Sequence, residues 1–166
     1  MSFGVKVVSA SLCAAFLLMT GCAVPIQVSR QDQSDAAPWR GRLAVRIESD
    51  QAHSFSAGFE LSGNPQVGEL TLYTPLGNTA ASLSWTTQSA MMRRAGETHH
   101  FSSLAALMAQ ALGAEIPVAA LFSWLAGDGV AAAGWSADLS HHATGRITAR
   151  RIVPAPAAEL RLVLDQ

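Results

Sequence analysis

The sequence predicts an α+β domain, mainly antiparallel β, with a pair of helices on one face of the sheet. Three observations predict it. Residues 39–94 alternate apolar and polar side chains, residues 104–125 switch to helical spacing, and residues 135–164 return to short strands. Strands, then a helical pair, then strands again favour helices segregated to one face of an antiparallel sheet.

In chain order, Leu43, Val45 and Ile47 alternate with Arg42, Ala44, Arg46 and Glu48, the pattern of a half-buried strand. Phe55, Ala57, Phe59 and Leu61 mark a second strand, and Ser62-Gly63-Asn64-Pro65 a turn. Glu69 to Tyr73 forms a third strand, Ala81, Leu83 and Trp85 a fourth, and Ala90 to Arg94 a fifth. Leu104, Leu107, Met108, Ala111 and Leu112 then recur at helical spacing, with Ser102 or Ser103 as N-cap and Gly113 as stop. Pro117 suits the first turn of a second helix whose apolar stripe is Val118, Leu121, Phe122 and Leu125, closed by Gly127. The glycine- and alanine-rich residues 127–134 read as a mobile connection. Strands follow near Trp135 to Leu139, Arg146 to Ile152, and Leu160 to Leu164.

The N-terminus follows an export pattern. Lys6, the only lysine, precedes an apolar run from Val7 to Met19. That run is short of the roughly 20 residues a membrane helix needs. It ends in Leu18-Met19-Thr20-Gly21-Cys22, which resembles a lipobox with Met19 where Leu is usual. Residues 1–21 are expected to be a signal peptide. Cys22 is expected to carry lipid, and the polar, proline-containing residues 22–38 to form a tether. Residues 39–166 then make one domain. Removal of 1–21 leaves Cys22 as the only cysteine, which excludes an intramolecular disulfide. Ala23 stands where Asp in a Gram-negative lipoprotein would signal retention at the inner membrane, so it points outward.

A net charge of −1 gives no reason to expect nucleic acid as a partner. The 49% hydrophobic content implies a large core or apolar surface kept for a ligand, and composition does not separate the two. No hydrolase, nucleotide or metal motif appears. His99-His100 and His141-His142 are adjacent pairs whose rings diverge, so they are expected to be exposed residues beside turns rather than metal ligands. Asp128 and Asp138 lack an evident partner, and the chain is not expected to be an enzyme or to carry a cofactor.

Tyr73-Thr74-Pro75-Leu76-Gly77-Asn78-Thr79 is the most informative segment. Thr74 to Gly77 suits a type I turn, with Pro75 fixing φ and Leu76 at the tip. Leu76 either folds back onto the sheet or forms a finger that touches a membrane or ligand. Trp39, Trp85, Trp124 and Trp135 likewise either fill a core or line a lipid pocket.

Three groups of residues carry a family resemblance. They are Trp39-Arg40-Gly41-Arg42-Leu43-Ala44-Val45-Arg46, Phe59-Glu60-Leu61-Ser62-Gly63, and Leu70 through Thr79 with its Pro75-Leu76-Gly77 loop. Together with Leu112-Gly113, Ile116-Pro117-Val118 and Trp124-Leu125-Ala126-Gly127, they resemble the LolB family of outer-membrane lipoprotein receptors. The resemblance runs from the lipobox to the C-terminus. The chain is shorter than familiar members after the helices, which leaves the number of closing strands open.

The resemblance implies a half-open, curved β-barrel with a helical lid over an apolar cavity. It implies a monomer that faces the periplasm, takes lipoproteins by their acyl chains from the periplasmic carrier LolA, and inserts them into the outer membrane of a Gram-negative cell. Pro75, Leu76 and Gly77 would form the membrane-insertion loop. Leu43, Val45, Phe59, Leu70, Leu72, Leu83 and Trp85 on the strands would line the cavity, with Leu107, Met108, Phe122 and Leu125 on the helices. The alternative is a structural envelope lipoprotein that scaffolds a protein partner.

Overall fold

The computed structural model describes residues 37–49 and 53–165. The expected signal peptide, Cys22 and the tether up to residue 36 lie outside them. Six strands come first: β1 (Trp39–Glu48), β2 (His53–Gly63), β3 (Gly68–Tyr73), β4 (Thr79–Trp85), β5 (Ala90–Arg94) and β6 (Glu97–Phe101). Helices α1 (Leu104–Leu112) and α2 (Val118–Leu125) follow. Then come β7 (Trp135–Asp138), a single 3-10 turn (His142–Thr144), β8 (Arg146–Arg151) and β9 (Ala157–Leu164).

All the strands pair antiparallel in one sheet of order β6-β5-β4-β3-β2-β1-β9-β8-β7. Its edges, β6 and β7, do not pair with each other, so the sheet is open and curved rather than closed into a barrel. The β-rich α+β class is therefore as the residue pattern predicts. Among the described residues three strands follow the helices, and β9 returns to pair with β1.

Strand alternation sets the core. Leu43, Val45 and Ile47 on β1 are buried, and their registry with Ala57 on β2 and Leu160 and Leu162 on β9 puts apolar side chains on one shared face. The same face continues through Leu70, Leu72, Leu83 and Met92. Each buried aliphatic side chain contributes about 1.5–3 kcal/mol of transfer free energy, which is what holds this register against slippage.

The helices cover that face. Ser103 caps α1, its hydroxyl accepting from the Ala106 N–H, and Gly113 ends the helix in the left-handed region. Leu107, Met108 and Leu112 point inward from α1, which rests on β4, β5 and β6. In α2, Val118, Ala120, Leu121, Trp124 and Leu125 are buried. Pro117 is the residue before the first turn of α2 rather than inside it, and Ala126 rather than Gly127 caps its end.

The hairpin connections sort to two ends of the sheet. The β1–β2, β3–β4, β5–β6 and β8–β9 connections lie at one end. The β2–β3, β4–β5 and β7–β8 connections lie at the other, where the chain also enters at Trp39 and leaves after Leu164. This polarity puts the β3–β4 hairpin and the β8–β9 connection at one end of the sheet.

Candidate functional site

The β3–β4 connection is a tight hairpin. Gly77 N–H donates to the Thr74 carbonyl at 2.9 Å, and Thr74 N–H donates to the Asn78 carbonyl at 2.8 Å. Asn78 N–H also reaches the Thr74 hydroxyl at 3.2 Å. This is a type I turn followed by a residue in the left-handed region, and Gly77 occupies that position with φ 81°. A Cβ on Gly77 would meet nothing within 4 Å, so the need for glycine is purely conformational.

Leu76 sits at the tip and is 88% exposed. It does not fold back onto the sheet. A β-bulge at the Leu72/Tyr73 step of the β3–β4 pairing lies at the base of the hairpin.

Among the hollows of the described residues, two border the hairpin or the end of α1. The larger, about 500 Å³, opens between Thr74, Pro75 and Gly77 and the middle of β1 and β2, where Leu43, Gly58 and Phe59 border it beside Arg40, Arg42 and Tyr73. The smaller, about 310 Å³, lies between the end of α1 (Ala111, Leu112, Gly113) and Val45, Ile47, His53 and Phe55.

The residues expected to line a cavity belong to one packed core. Leu70, Leu72, Leu83, Trp85, Leu107, Met108 and Leu125 are all buried in it, as are Leu43, Val45 and Phe59, and Phe122 packs against it half-buried. In this conformation they contact one another, and only the edges of the cluster border open space.

The tryptophans divide similarly. Trp85, Trp124 and Trp135 are buried, while Trp39 is half-buried at the chain's entry. Trp124 and Trp135 meet with ring centroids 6.4 Å apart at 49°. Each spends its indole N–H on a loop carbonyl: Trp124 on Val130 at 2.7 Å, Trp135 on Glu115 at 2.9 Å. Residues 127–134, expected to be a mobile connection, are thus tied at Val130 and by the Ala132–Trp135 bridge.

Two further expectations need correction. His142 is half-buried, not exposed; its Nε2 lies 3.0 Å from the Leu125 carbonyl. Asp138 does have a partner: its carboxylate accepts from Ser140 N–H, and the hydrogen bonds of Ser140 hold its pKa below the usual carboxylate value. His99, His100 and His141 are exposed. Among the described residues, no group of three or more His, Cys, Asp or Glu side chains could hold a metal ion.

Arg151 is a residue that sequence reasoning missed. It is a buried cation, 8% exposed, whose guanidinium lies 5.5 Å from the centroid of the Trp135 ring and donates to the Pro156 carbonyl at 3.1 Å. Its Nε has no partner in the structure. In sequence it reads as one of two adjacent arginines on a strand, and only the registry Trp135↔Arg151 shows what lies beneath it.

The family model described as Outer membrane lipoprotein LolB matches residues 37–163. Among similar proteins, the Outer-membrane lipoprotein LolB of Shewanella loihica is 34% identical over 129 residues, covering 72% of this chain and 58% of the relative. That of Shewanella woodyi is 31% identical over 117 residues, covering 66% and 54%. That of Shewanella sediminis is 33% identical over 119 residues, covering 66% and 52%. The chain thus spans about half the length of the curated relatives it matches.

Proposed function

This chain belongs to the LolB family of outer-membrane lipoproteins, and from that premise we propose that it is a receptor for lipoproteins at the outer membrane. In this reading it is anchored by lipid on Cys22 and faces the periplasm. It accepts cargo acyl chains from a LolA carrier and passes them to the bilayer. Residues 39–166 act as one domain, with α1 and α2 as the lid. The observation that carries the reading is Leu76, 88% exposed at the tip of a hairpin fixed by its own backbone hydrogen bonds.

The chemistry required is differential solvation of acyl chains. Each methylene moved out of water gains about 0.8 kcal/mol, so a chain passes from carrier to receptor to membrane only if each site shelters it somewhat better than the last. A receptor that sheltered it completely would retain it. The packed core between sheet and helices suits a transient site, because acyl chains enter by displacing α1 and α2 rather than by filling an empty pocket. The hollow between the end of α1 and Val45, Ile47 and Phe55 is the natural place for that entry. Pro75, Leu76 and Gly77 then touch the bilayer and lead the chains across.

The test is transfer of a lipidated cargo from carrier to phospholipid vesicles by protein lacking residues 1–22. The variant Leu76→Glu is expected to accept cargo yet deliver it at least about tenfold more slowly, since a carboxylate at the tip opposes entry into hydrocarbon. Delivery at the wild-type rate would refute the role given to Leu76. Failure of the unaltered domain to bind a fluorescent fatty-acyl probe would instead favour a scaffolding lipoprotein.

A further inference from the structure

From the β8–β9 connection, we infer that Ile152 and Val153 form a second contact with the lipid surface, at the same end of the sheet as Leu76. The inference rests on the membrane-facing reading of the β3–β4 hairpin. It also stands on observations of its own. Ile152 is 75% exposed and Val153 70%. Single exposed aliphatic residues are ordinary on any protein. Two adjacent ones on an uncharged loop, Ile152-Val153-Pro154-Ala155-Pro156, are a different matter.

The loop's exposure is built in from beneath. Arg151, buried over Trp135, donates to the Pro156 carbonyl, which fixes the far side of the loop. Gly134, with φ 79°, leaves the space in which the Val153 carbonyl sits; a Cβ there would collide with that oxygen. The backbone is therefore held at its base while the two side chains face water.

Topology then places this loop with the hairpin. Tyr73 leads into Leu76 and pairs with Gly58, heading toward the His53 end of β2. Arg151 pairs with Ala158, which pairs with Ile47, which pairs with His53. Both connections thus leave the sheet at the same end. Thr74 to Asn78 is also uncharged, so neither loop carries an ionised side chain that would oppose its approach to hydrocarbon. Two separated apolar contacts would fix the tilt of the domain against the bilayer, which one leucine on a turn does not.

The test uses the full lipidated protein in phospholipid vesicles containing brominated acyl chains. An environment-sensitive fluorophore is placed at one position at a time, in the variants Ile152→Cys, Leu76→Cys and Gln66→Cys. Gln66 is an exposed residue of the β2–β3 connection at the opposite end. The label at 152 is expected to shift to the blue and be quenched severalfold more than the label at 66. Equal quenching at 152 and 66 overturns the inference, and quenching at 76 in the same experiment would leave the reading of Leu76 intact. Quenching at 152 but not at 76 would support the second contact and remove the first. A further variant, Ile152→Asp with Val153→Asp, is expected to keep its unfolding midpoint while slowing delivery severalfold; wild-type delivery would count against the contact.

Discussion

The Nε2 atom of His142 lies 3.0 Å from the carbonyl oxygen of Leu125, so the one-turn helix after β7 is fastened to the last turn of α2. Carbonyls at a helix end have no intrahelical donor, and a ring N–H supplies one here. Gly127 lies beside the same ring, its missing Cβ leaving room for it. The contact joins α2 to the segment between β7 and β8.

His142→Ala is expected to destabilise the domain by about 1 kcal/mol, the net worth of one part-buried hydrogen bond. His141→Ala, at an exposed neighbour, should change stability by less than about 0.5 kcal/mol. Urea unfolding of the two variants checks both. If α2 moves to admit acyl chains, His142→Ala should also bind a fatty-acyl probe faster. Equal stability losses for the two histidines would mean that the Leu125 contact contributes nothing.

A second prediction concerns pH. The Glu159 carboxylate accepts a hydrogen bond from Arg150 Nε at 2.7 Å and forms an ion pair with Arg161 Nε at 2.6 Å. Burial pushes its pKa up, but the arginines outweigh it and the net shift is below the ordinary value of 4.5. A folded pKa below the unfolded one contributes stability that is complete above about 4.5 and lost as pH falls through the folded value. Glu159→Gln should therefore cost about 1 kcal/mol at neutral pH and little near pH 3. Unfolding midpoints measured at the two pH values test it; a cost that did not shrink in acid would contradict it.

Arg151 gives the third. A lysine ammonium lacks the planar fork that reaches the Trp135 ring and the Pro156 carbonyl together, so Arg151→Lys should cost about 2 kcal/mol. Arg151→Met keeps much of the stem packing and removes the unpartnered buried Nε–H, so it should cost less than the lysine. Denaturant unfolding ranks the two. In both, residues 152–156 should be cut faster by a protease, since the Pro156 tie is gone. A lysine variant as stable as wild type would show that the guanidinium geometry is not what holds the loop.

These residues also show where sequence reading works. β1 to β5 are legible because one face is buried and the other wet, so alternation survives in the sequence. β6 is not, because Glu97-Thr98-His99-His100 at the sheet edge is exposed on both faces and only Phe101 is half-buried. The turn at Thr74 to Gly77 is legible from proline and glycine chemistry alone, whereas the direction taken by Leu76 depends on what lies beside it. Arg151 and His142 escape notice for one reason: their partners, Trp135, Pro156 and Leu125, are set by folding and leave no local pattern.

The last prediction joins the anchor to the loops. The chain enters the sheet at Trp39, at the end opposite Leu76 and Ile152. Registry puts Tyr73 level with Arg42 and Arg151 level with Ile47, so along the strands Leu76 lies about 20 Å and Ile152 about 30 Å from Trp39. If lipid on Cys22 anchors the chain as proposed, the loops can face that membrane only when residues 22–38 reach back across this span. Residues 22–38, roughly 17 in number, extend to at most about 60 Å, which is enough. Deleting residues 24–35 leaves roughly five, with a reach of at most about 18 Å, which is not. The shortened protein is expected to stay anchored and to bind a fatty-acyl probe as before. It should fail to deliver cargo into its own membrane, and a Gly-Ser insert of the original length should restore delivery. Delivery by the shortened protein at the wild-type rate would mean that the Leu76 end does not face the anchoring membrane.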